Sequence, residues 1–423
     1  MRFFSTAITS IAVAFLSYSS SGMAAPSGAI RLDEALKATL EHNPALAGYH
    51  FKADALAGEQ TTASLRPEYR IAAELENVAG SGDLHGTQSG ELTIAVSSVI
   101  ELGNKRDARA GVVTARQQQL QSEQRLLSLD LLSAVTRQFL LLVAAQEQLA
   151  IHKDAAQLAR STQDSLRKLV QAGRLPEAEL LRAEAGLARA AIALQQAEQQ
   201  VRAERLRLSA YWADPTPDFA TAQGDLYALI PSIPLTDLES RLDANPDLAV
   251  LVSEIDLRSA ELREARSHQR ADLEWSAGVR RFEETGDSAA VLGLSMPLGA
   301  SRRGSGAVTT ATAQHAGAEQ ALESARIRLQ GELTALYDEQ QQAVSELAML
   351  RTRVVPALKR ALRETAQGFD VGRYSYLEFT LAQSEFLDAQ LAVIDAAQRA
   401  QHTRIELERL TGTAITDQHE VTP

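Results

Sequence analysis

The sequence contains no cysteine in its 423 residues, and aromatic residues make up only 5% of it. The missing cysteine excludes disulfide bridges, thiolate metal sites and an acylated N-terminal cysteine anchor. Beyond residue 25 no run of 18 consecutive apolar residues occurs, so no transmembrane helix is predicted there. Membrane-crossing β-strands stay possible, because their apolar residues alternate and leave a weak hydropathy signal.

The sequence also lacks the motifs of common enzymes. It has no G-x-S-x-G, no phosphate-binding glycine loop and no H-E-x-x-H. His315 and Glu319 share a helical spacing, but such a pair arises by chance in any long charged helix. We therefore predict no enzyme activity, no cofactor and no metal site. The formal net charge of −12 argues against nucleic acid as a partner and mildly favours cationic cargo.

The N-terminus MRFFSTAITSIAVAFLSYSSSGMAA has the layout of a secretory signal peptide. One basic residue, Arg2, precedes an apolar stretch over 7–16, and small residues follow up to Ala25. The apolar stretch is shorter than the roughly 20 residues that a membrane-spanning helix needs. The sequence predicts cleavage after Ala24 or Ala25 and export from the cytoplasm.

Two similar segments, QAGRLPEAEL and DVGRYSYLEF, divide the chain into halves. Their glycines, Gly173 and Gly372, lie 199 residues apart. The same spacing relates two sets of apolar residues with a seven-residue repeat: Leu180, Leu187, Leu194, Val201 and Leu208, then Phe379, Phe386, Val393, Ala400 and Leu407. This agreement indicates a tandem duplication. The predicted parts are a first repeat over 26–212, a proline-rich equatorial linker over 213–235, a second repeat over 236–412 and a C-terminal tail over 413–423.

The heptads predict long helices that pack closely. A large apolar residue at one core position and alanine at the other describe an antiparallel coiled coil, although an ordinary helix bundle shows the same pattern over fewer heptads. The helical segments predicted in the two halves are 31–65, 103–171 and 176–211, then 236–270, 302–369 and 375–411. In each half, one long helix matches the summed length of two short ones, so the short helices are predicted to stack end to end beside it.

Alternating patterns between the helices predict two β-hairpins, one within 67–100 and one within 271–298. Tyr69 and Trp275 lie near strand starts, where aromatic girdles of membrane strands belong. The alternative is a soluble hairpin with one buried face. In a membrane, four strands have open edges that cannot face lipid, so the chain must oligomerise into eight strands as a dimer or twelve as a trimer.

With these features the chain resembles the TolC-like outer membrane factor family over essentially its whole length after the signal peptide. The segment VIELGNKRDARAG, 99–111, is similar to the strand-to-helix junction of the heavy-metal efflux branch, the cobalt-zinc-cadmium resistance proteins, with Asn104 where many relatives carry a second glycine. The resemblance implies a mainly α fold with membrane β-strands. In it, three protomers form an α-helical coiled-coil tunnel, with four strands per protomer in a trimeric twelve-stranded β-barrel.

The resemblance also implies a function and a location. The chain is expected in the outer membrane of a Gram-negative bacterium, extending into the periplasm, as the passive exit duct of a tripartite efflux system. Its implied partners are two further copies of itself, a periplasmic adaptor, an inner-membrane pump of the RND type and outer-membrane lipid. The branch favours divalent heavy-metal cations as cargo. The alternatives are a drug-efflux or type I secretion duct and, from another class, a soluble periplasmic coiled-coil adaptor.

The second Gly-Arg segment matches the family's turn at the constricted periplasmic end of the tunnel. The resemblance implies a gate formed by Asp370, Arg373, Tyr376 and Glu378. It implies adaptor contacts at Gly173, Arg174, Leu175, Gly372, Tyr374 and Ser375. Residue chemistry gives these segments a second role as helix caps, with glycine ending one helix and Pro176 or Ser375 starting the next.

Two further segments lie where a strand must turn directly into a helix. Gly103 and Gly299 are predicted there because glycine allows the backbone angles that such a turn requires. Basic residues follow each glycine: Lys105 and Arg106 after the first, Arg302 and Arg303 after the second. They are expected at the inner edge of the membrane, either beside lipid phosphates or as a solvated first helical turn.

Overall fold

The computed structural model describes residues 28–229 and 233–412. The predicted signal peptide and C-terminal tail lie outside the described residues. Nine α-helices and six β-strands are present in the described part of the chain. The helices are α1 (Leu32–His42), α2 (Pro44–Ser64), α3 (Lys105–Gln171), α4 (Glu177–Ser209), α5 (Leu235–Arg241), α6 (Pro246–Ser267), α7 (Ala300–Met349), α8 (Val355–Asp370) and α9 (Tyr376–Thr411). The strands are β1 (Gly28–Arg31), β2 (Arg70–Glu76), β3 (Glu91–Ile100), β4 (Phe219–Gln223), β5 (Leu273–Phe282) and β6 (Ser288–Ser295).

Two helical hairpins form the long body of the protomer. α3 turns back into α4 near Gly173, and α8 turns back into α9 near Gly372. α3 packs against α2, α4, α6 and α9, while α7 packs against α6 and α9. At 1.5 Å per residue, the 67 residues of α3 span roughly 100 Å.

Of the ten heptad positions predicted from the sequence, five are buried between these helices and five are half-buried, namely Leu180, Leu187, Leu194, Val201 and Phe386. Leu208, Phe379, Val393, Ala400 and Leu407 are buried. The intervening alanines Ala183, Ala197, Ala382, Ala389 and Ala396 are buried as well. Small alanine side chains let neighbouring helix axes approach closely, so the predicted close helix packing is confirmed.

Four antiparallel strands form one sheet in the order β2-β3-β5-β6. They lie in the two segments where alternation predicted hairpins. β3 pairs with β5 across the two halves of the chain, in register from Glu91 opposite Phe282 to Ile100 opposite Leu273. β2 and β6 are the outer strands of the sheet within one protomer.

The segment predicted as a linker contains a strand that the sequence analysis missed. β4 lies inside 213–235 and pairs in parallel with β1. Phe219 and Ala222 of β4 are buried in the main hydrophobic core, beside Phe139 of α3. The strand is only five residues long and follows two prolines, so its alternation was too short to separate from a loop.

Two helices predicted as continuous are broken. The predicted helix over 31–65 stops at Asn43, and the one over 236–270 has a 3₁₀ turn over Leu242–Ala244 and stops at Asn245. Each asparagine precedes a proline, Pro44 or Pro246, and a residue before proline is pushed out of the helical region into extended backbone. The observed ψ angles of Asn43 and Asn245 are 122° and 128°.

A third predicted helix, over 302–369, contains a π-helical segment at Leu350–Val354 between α7 and α8. Pro356 follows at the start of α8 and has no N–H to donate to a helical hydrogen bond. The matching helix of the first half, α3, continues without interruption. The duplicated halves therefore differ in the helix that leads to their turns.

One described helix, α3, is long and apolar enough to cross a membrane by length and composition alone. Its apolar stretch contributes Val135, Phe139, Leu142 and Val143 to the main core, and all four are buried. About one third of the apolar stretch, 33%, is buried within the protomer.

Candidate functional site

The first turn, 172–176, closes the α3–α4 hairpin with a Schellman cap. Arg174 N–H donates to the Leu169 carbonyl at 2.9 Å, and Gly173 N–H donates to the Val170 carbonyl at 2.9 Å. Gly173 has φ +69°, a left-handed angle that glycine adopts without steric cost. Pro176 then precedes α4 as its N-cap residue, which confirms the predicted capping role of this segment.

The second turn, 371–375, repeats this cap with the same bonds. Arg373 N–H donates to the Gly368 carbonyl at 2.7 Å, and Gly372 N–H donates to the Phe369 carbonyl at 2.9 Å. Gly372 has φ +74°. The α9 side differs from the first turn, because Ser375 is an N-cap with a side chain that accepts a hydrogen bond from Glu378 N–H.

Glu378 completes a capping box in the second turn. Its carboxylate accepts hydrogen bonds from Ser375 N–H at 2.7 Å and from the Ser375 hydroxyl at 2.8 Å. The backbone N–H and the hydroxyl of Ser375 favour the ionised carboxylate and lower the pKa of Glu378 below its usual value. Glu378 therefore holds the start of α9 in this structure, besides being a gate residue predicted from the family.

Tyr376 points into the protomer. Its side chain is only 8% exposed and packs with Leu166 of α3, Ala183 of α4 and Phe379 of α9. Burial, followed by the nearby Glu179 carboxylate, raises the pKa of the Tyr376 phenol. Tyr376 thus joins the two helical hairpins of one protomer close to their turns.

Sequence reasoning missed Phe369 at this turn. Its ring stacks on Phe379 with centroids 5.4 Å apart and contacts Tyr376 at 6.2 Å. Leu362, Ala366 and Phe369 have the i, i+4, i+7 spacing of one apolar helix face and pack on the same cluster, and this signal could have identified Phe369.

The other predicted turn residues lie at the surface, except for Leu175. Asp370, Arg373, Gly372, Ser375, Gly173 and Arg174 are exposed, and Leu175 is half-buried against the Tyr376 cluster. The Tyr374 ring lies across Gly368 so closely that a Cβ at that position would come within 2.2 Å of it. The structure thus brings the predicted residues into two neighbouring turns, where the side chains of Asp370 and Arg373 take no part in the cap.

At the opposite end of the helices, the four-stranded sheet has one apolar and one polar face. Large side chains of the apolar face are strongly exposed, with Ile71 79% and Leu292 81% exposed. On the polar face, Arg280 binds Glu91 at 2.8 Å and Glu76 at 3.0 Å. Its Nε also donates to the Thr93 hydroxyl at 2.9 Å. A sheet with this alternation is suited to lipid on one side and water on the other.

Tyr69 and Trp275 meet at one end of the apolar face. Their rings form an edge contact with centroids 6.4 Å apart, and Tyr69 is 75% exposed. This end also carries the strand-to-helix junctions. The aromatic pair lies where the sequence analysis expected residues of a membrane-interface girdle.

At the first junction, consecutive left-handed residues turn β3 into α3. Gly103 has φ +81° and Asn104 has φ +57°, a region that asparagine tolerates better than most residues. A Cβ on Gly103 would come within 2.8 Å of Arg270 Cγ, so close packing also requires glycine there. Gly299, with φ +83°, precedes α7 at the second junction.

The basic residues of the junctions lie in different environments. Lys105 is not available to lipid phosphates as expected, because its side chain is 6% exposed and pairs with Asp272 at 2.7 Å. The polar face of the sheet ends in Asp272, whose second oxygen accepts from Leu102 N–H at 3.1 Å. Arg106 pairs with Asp107 at 3.5 Å, while Arg302 and Arg303 are exposed at the start of α7.

No group of three His, Asp or Glu side chains suited to a metal ion occurs within 28–229 and 233–412. His315 and Glu319 lie 3.7 Å apart on an exposed face of α7. They form an isolated pair in the described structure.

A sheet with one exposed apolar face, continued by helices roughly 100 Å long, fits a subunit of an outer-membrane channel. Comparison with known proteins agrees with this class. Residues 238–413 match the family model described as outer membrane efflux protein. The cobalt-zinc-cadmium resistance protein CzcC of Cupriavidus metallidurans is 27% identical over 321 residues, which is 76% of this chain and 77% of CzcC.

Solved structures of channels share the fold over almost the whole chain. CusC, whose structures address transmembrane channel formation, superposes with a TM-score of 0.76 at 14% identity over 94% of this chain and 96% of CusC. The outer membrane protein VceC from Vibrio cholerae superposes with a TM-score of 0.74 at 17% identity over 90% of this chain and 96% of VceC. The chain is thus similar to outer membrane efflux proteins over 238–413 and to CzcC over about three quarters of its length. It is an outer-membrane protein that extends into the periplasm, so the alternative of a soluble adaptor is not supported.

Proposed function

We propose that this chain is the exit duct of a tripartite efflux system and exports divalent heavy-metal cations. The observation that carries the proposal is the position of two surfaces at opposite ends of the same helices. The sheet exposes an apolar face at one end, and two capped turns are exposed at the other. Such a subunit connects the membrane to a partner roughly 100 Å away.

The open sheet supports assembly into a trimer. Among the described residues, β2 and β6 have no partner on their outer side, and unpaired backbone groups facing lipid cost several kcal/mol each. Pairing β6 of one copy with β2 of the next satisfies these groups. Three copies contribute the twelve strands that the family resemblance implies.

The polar face of the sheet supports cations as cargo. The Arg280 guanidinium contacts two carboxylates, those of Glu76 and Glu91, so this cluster carries a net negative charge. The formal charge of the whole chain is −12. A negatively charged passage raises the local concentration of cations. The similarity to CzcC, a cobalt-zinc-cadmium resistance protein, supports cobalt, zinc and cadmium as the cations.

The two turns are the proposed periplasmic end. We assign adaptor contact to Gly173, Arg174, Leu175, Gly372, Tyr374 and Ser375, and the resting gate to Asp370, Arg373, Tyr376 and Glu378. Within the gate, Asp370 and Arg373 are free to contact neighbouring copies. Tyr376 and Glu378 hold the turn in place through packing and capping. An inner-membrane pump of the RND type supplies the energy, because the duct itself is passive.

Growth on metal salts tests the proposal. In a host strain that lacks this gene and keeps its pump and adaptor, the wild-type gene should restore tolerance to cobalt, zinc and cadmium. Replacing Arg174 with Glu should abolish restoration, because reversed charge at the first turn disrupts adaptor contact. The control, Arg326→Glu, changes one exposed arginine of α7 away from the turns and should restore tolerance.

Equal metal tolerance with and without the gene would refute metal export. Restored drug tolerance or protein secretion without restored metal tolerance would favour the other exit-duct functions. The amount of trimer, measured by size, and the amount of protein in the outer-membrane fraction must be equal for all variants. Lost assembly is then separated from lost coupling to the pump.

A further inference from the structure

Three arginines lie near the end of α6 where the helix approaches the sheet. Arg263 and Arg266 share one face of α6, about 60° apart around its axis. Arg270 lies three residues beyond the helix end, in a turn where its N–H donates to the Ser267 carbonyl at 3.1 Å. The three arginines line a cleft of about 900 Å³ between the end of α6 and the start of α3, with Asp107, Gly111 and Met296 on its other walls. We call this the arginine cleft.

The sheet and the helices that continue it form one wall with a polar side and an apolar side. Charge contacts show that the arginine cleft does not lie on the polar side. Glu101 and Asp272 continue the polar faces of β3 and β5, and Glu101 binds Arg109 through both oxygens. Arg109 also interacts electrostatically with Glu264 of α6. Glu264 therefore lies on the polar side of the wall. Arg266 is about 160° from Glu264 around α6, so the arginine cleft opens on the other side.

The other side carries the apolar face of the sheet. Leu292 and Leu294 of β6 are 81% and 77% exposed, and Met296 continues their alternation into the arginine cleft. The cleft thus joins a strongly apolar surface to three positive charges. This combination matches an amphipathic ligand with an anionic head.

The distance of the cleft from the sheet places its arginines at the level of the lipid headgroups. Arg270 lies three residues before β5 begins at Leu273. Arg266 and Arg263 follow about 6 and 10 Å farther from the sheet, at 1.5 Å per residue. The polar layer on each side of a bilayer is about 5 to 8 Å thick, so Arg270 and Arg266 reach headgroup depth.

Neither a second copy of the chain nor an internal ion pair explains the cleft. α6 leads into β5, an inner strand of the sheet, whereas copies of the chain are proposed to meet at β2 and β6. The one carboxylate among the described residues that line the cleft, Asp107, lies 3.5 Å from Arg106 outside it. The cleft therefore keeps a positive excess on a surface away from the seams between protomers.

We propose that the arginine cleft binds the phosphate group of a phospholipid from the periplasmic leaflet, with the acyl chains lying along the apolar face beyond Met296. Guanidinium groups bind phosphate through paired N–H donors. The proposal depends on the membrane position of the sheet, and not on the cargo or the pump of the proposed function.

Native mass spectrometry of the purified protein with phosphatidylglycerol tests the proposal. The variant Arg263→Gln with Arg266→Gln and Arg270→Gln should lose retained lipid, roughly five-fold for each arginine removed and on the order of a hundred-fold for all three. The control removes three exposed arginines away from the sheet, Arg326, Arg328 and Arg360, by the same change to Gln. The control should retain lipid like the wild type.

Further arms separate the sources of phosphate and the effect of folding. Inorganic phosphate at the same concentration should not displace the lipid, and a phosphate-free glycolipid should not be retained. If the triple variant fails to assemble, the double variant Arg266→Lys with Arg270→Lys replaces it in the test. This variant keeps the positive charge and should retain an intermediate amount of lipid. Unchanged lipid retention in the triple variant, an equal loss in the control, or displacement by inorganic phosphate would overturn the proposal, whatever the result of the metal growth test.

Discussion

Two asparagines hold equivalent positions in the two halves of the protein. Asn245 is fully buried, accepts a hydrogen bond from Leu248 N–H at 3.1 Å and donates to the Leu410 carbonyl at 2.7 Å. Asn43 accepts from Ala45 N–H at 2.9 Å and donates to the Tyr211 carbonyl at 2.7 Å. Each therefore caps the helix that leads to the sheet and ties it to the end of the helix that returns from the turn.

Replacing Asn245 with Ala should lower the thermal stability of the purified protein. The change removes both hydrogen bonds and leaves the buried Leu410 carbonyl without this partner, at a cost of about 1 to 3 kcal/mol. Asn43→Ala should have a similar effect. The measurement is the melting temperature in detergent, and Gln314→Ala on the exposed face of α7 is the control. A melting temperature of Asn245→Ala equal to that of the control would contradict the capping role.

Single residues were predictable where local chemistry decides their role. Gly173, Gly372 and Ser375 follow from helix-capping rules, and the structure gives them those roles. Lys105 was not predictable, because its partner Asp272 is 167 residues away and only the β3–β5 pairing brings them together. The Asn-Pro pairs were visible in the sequence as a repeated helix break and were missed because the apolar pattern continues through them.

At the scale of elements, the two turns share a C-cap and differ in the helix that follows. Both end their first helix with a Schellman cap, but only α9 begins with a capping box. α8 also follows a π-helical segment, whereas α3 is continuous. The helix that leads to the second turn is thus interrupted, whereas the helix that leads to the first is not. An interrupted helix suits the part of the tunnel that is proposed to open.

The capping box predicts a pH effect at the second turn. The pKa of Glu378 is lower in the folded protein than its ordinary value of 4.5, so its stabilisation is present above that value. It is lost as the pH falls through the lower folded pKa. Hydrogen exchange at 376–380, corrected for the intrinsic rate, should therefore rise as the pH falls from about 6 to about 3.

Two controls accompany this measurement. The start of α4, 177–181, has a proline N-cap without a side-chain hydrogen bond and should show a smaller change. Glu378→Gln should remove the pH dependence at the second turn. A wild-type pH profile in Glu378→Gln would show that another group is responsible.

At the scale of the whole molecule, the duplicated pattern predicted the architecture well. The seven-residue repeat, the alternating strands and the paired turns each recur in both halves, so one half supports the interpretation of the other. The β1–β4 pair was not predictable, because it joins a strand of four residues to one of five that is 191 residues away in sequence. The sequence pattern of one chain likewise does not predict the contacts between copies. The gate, which depends on those contacts, therefore stays a proposal.

The central claim is that three copies form a duct held closed at the second turn. Single-channel conductance of the purified protein in planar lipid bilayers tests this claim most directly. Asp370→Asn with Arg373→Gln removes the charges that are free to contact neighbouring copies while leaving the cap of Gly372 and Ser375 intact. The matched control is Glu323→Gln with Arg326→Gln, which removes one charge of each sign from the exposed surface of α7. We predict a several-fold higher conductance than wild type for the gate variant and an unchanged conductance for the control. Equal conductance of the gate variant and the wild type would contradict a duct closed by these residues.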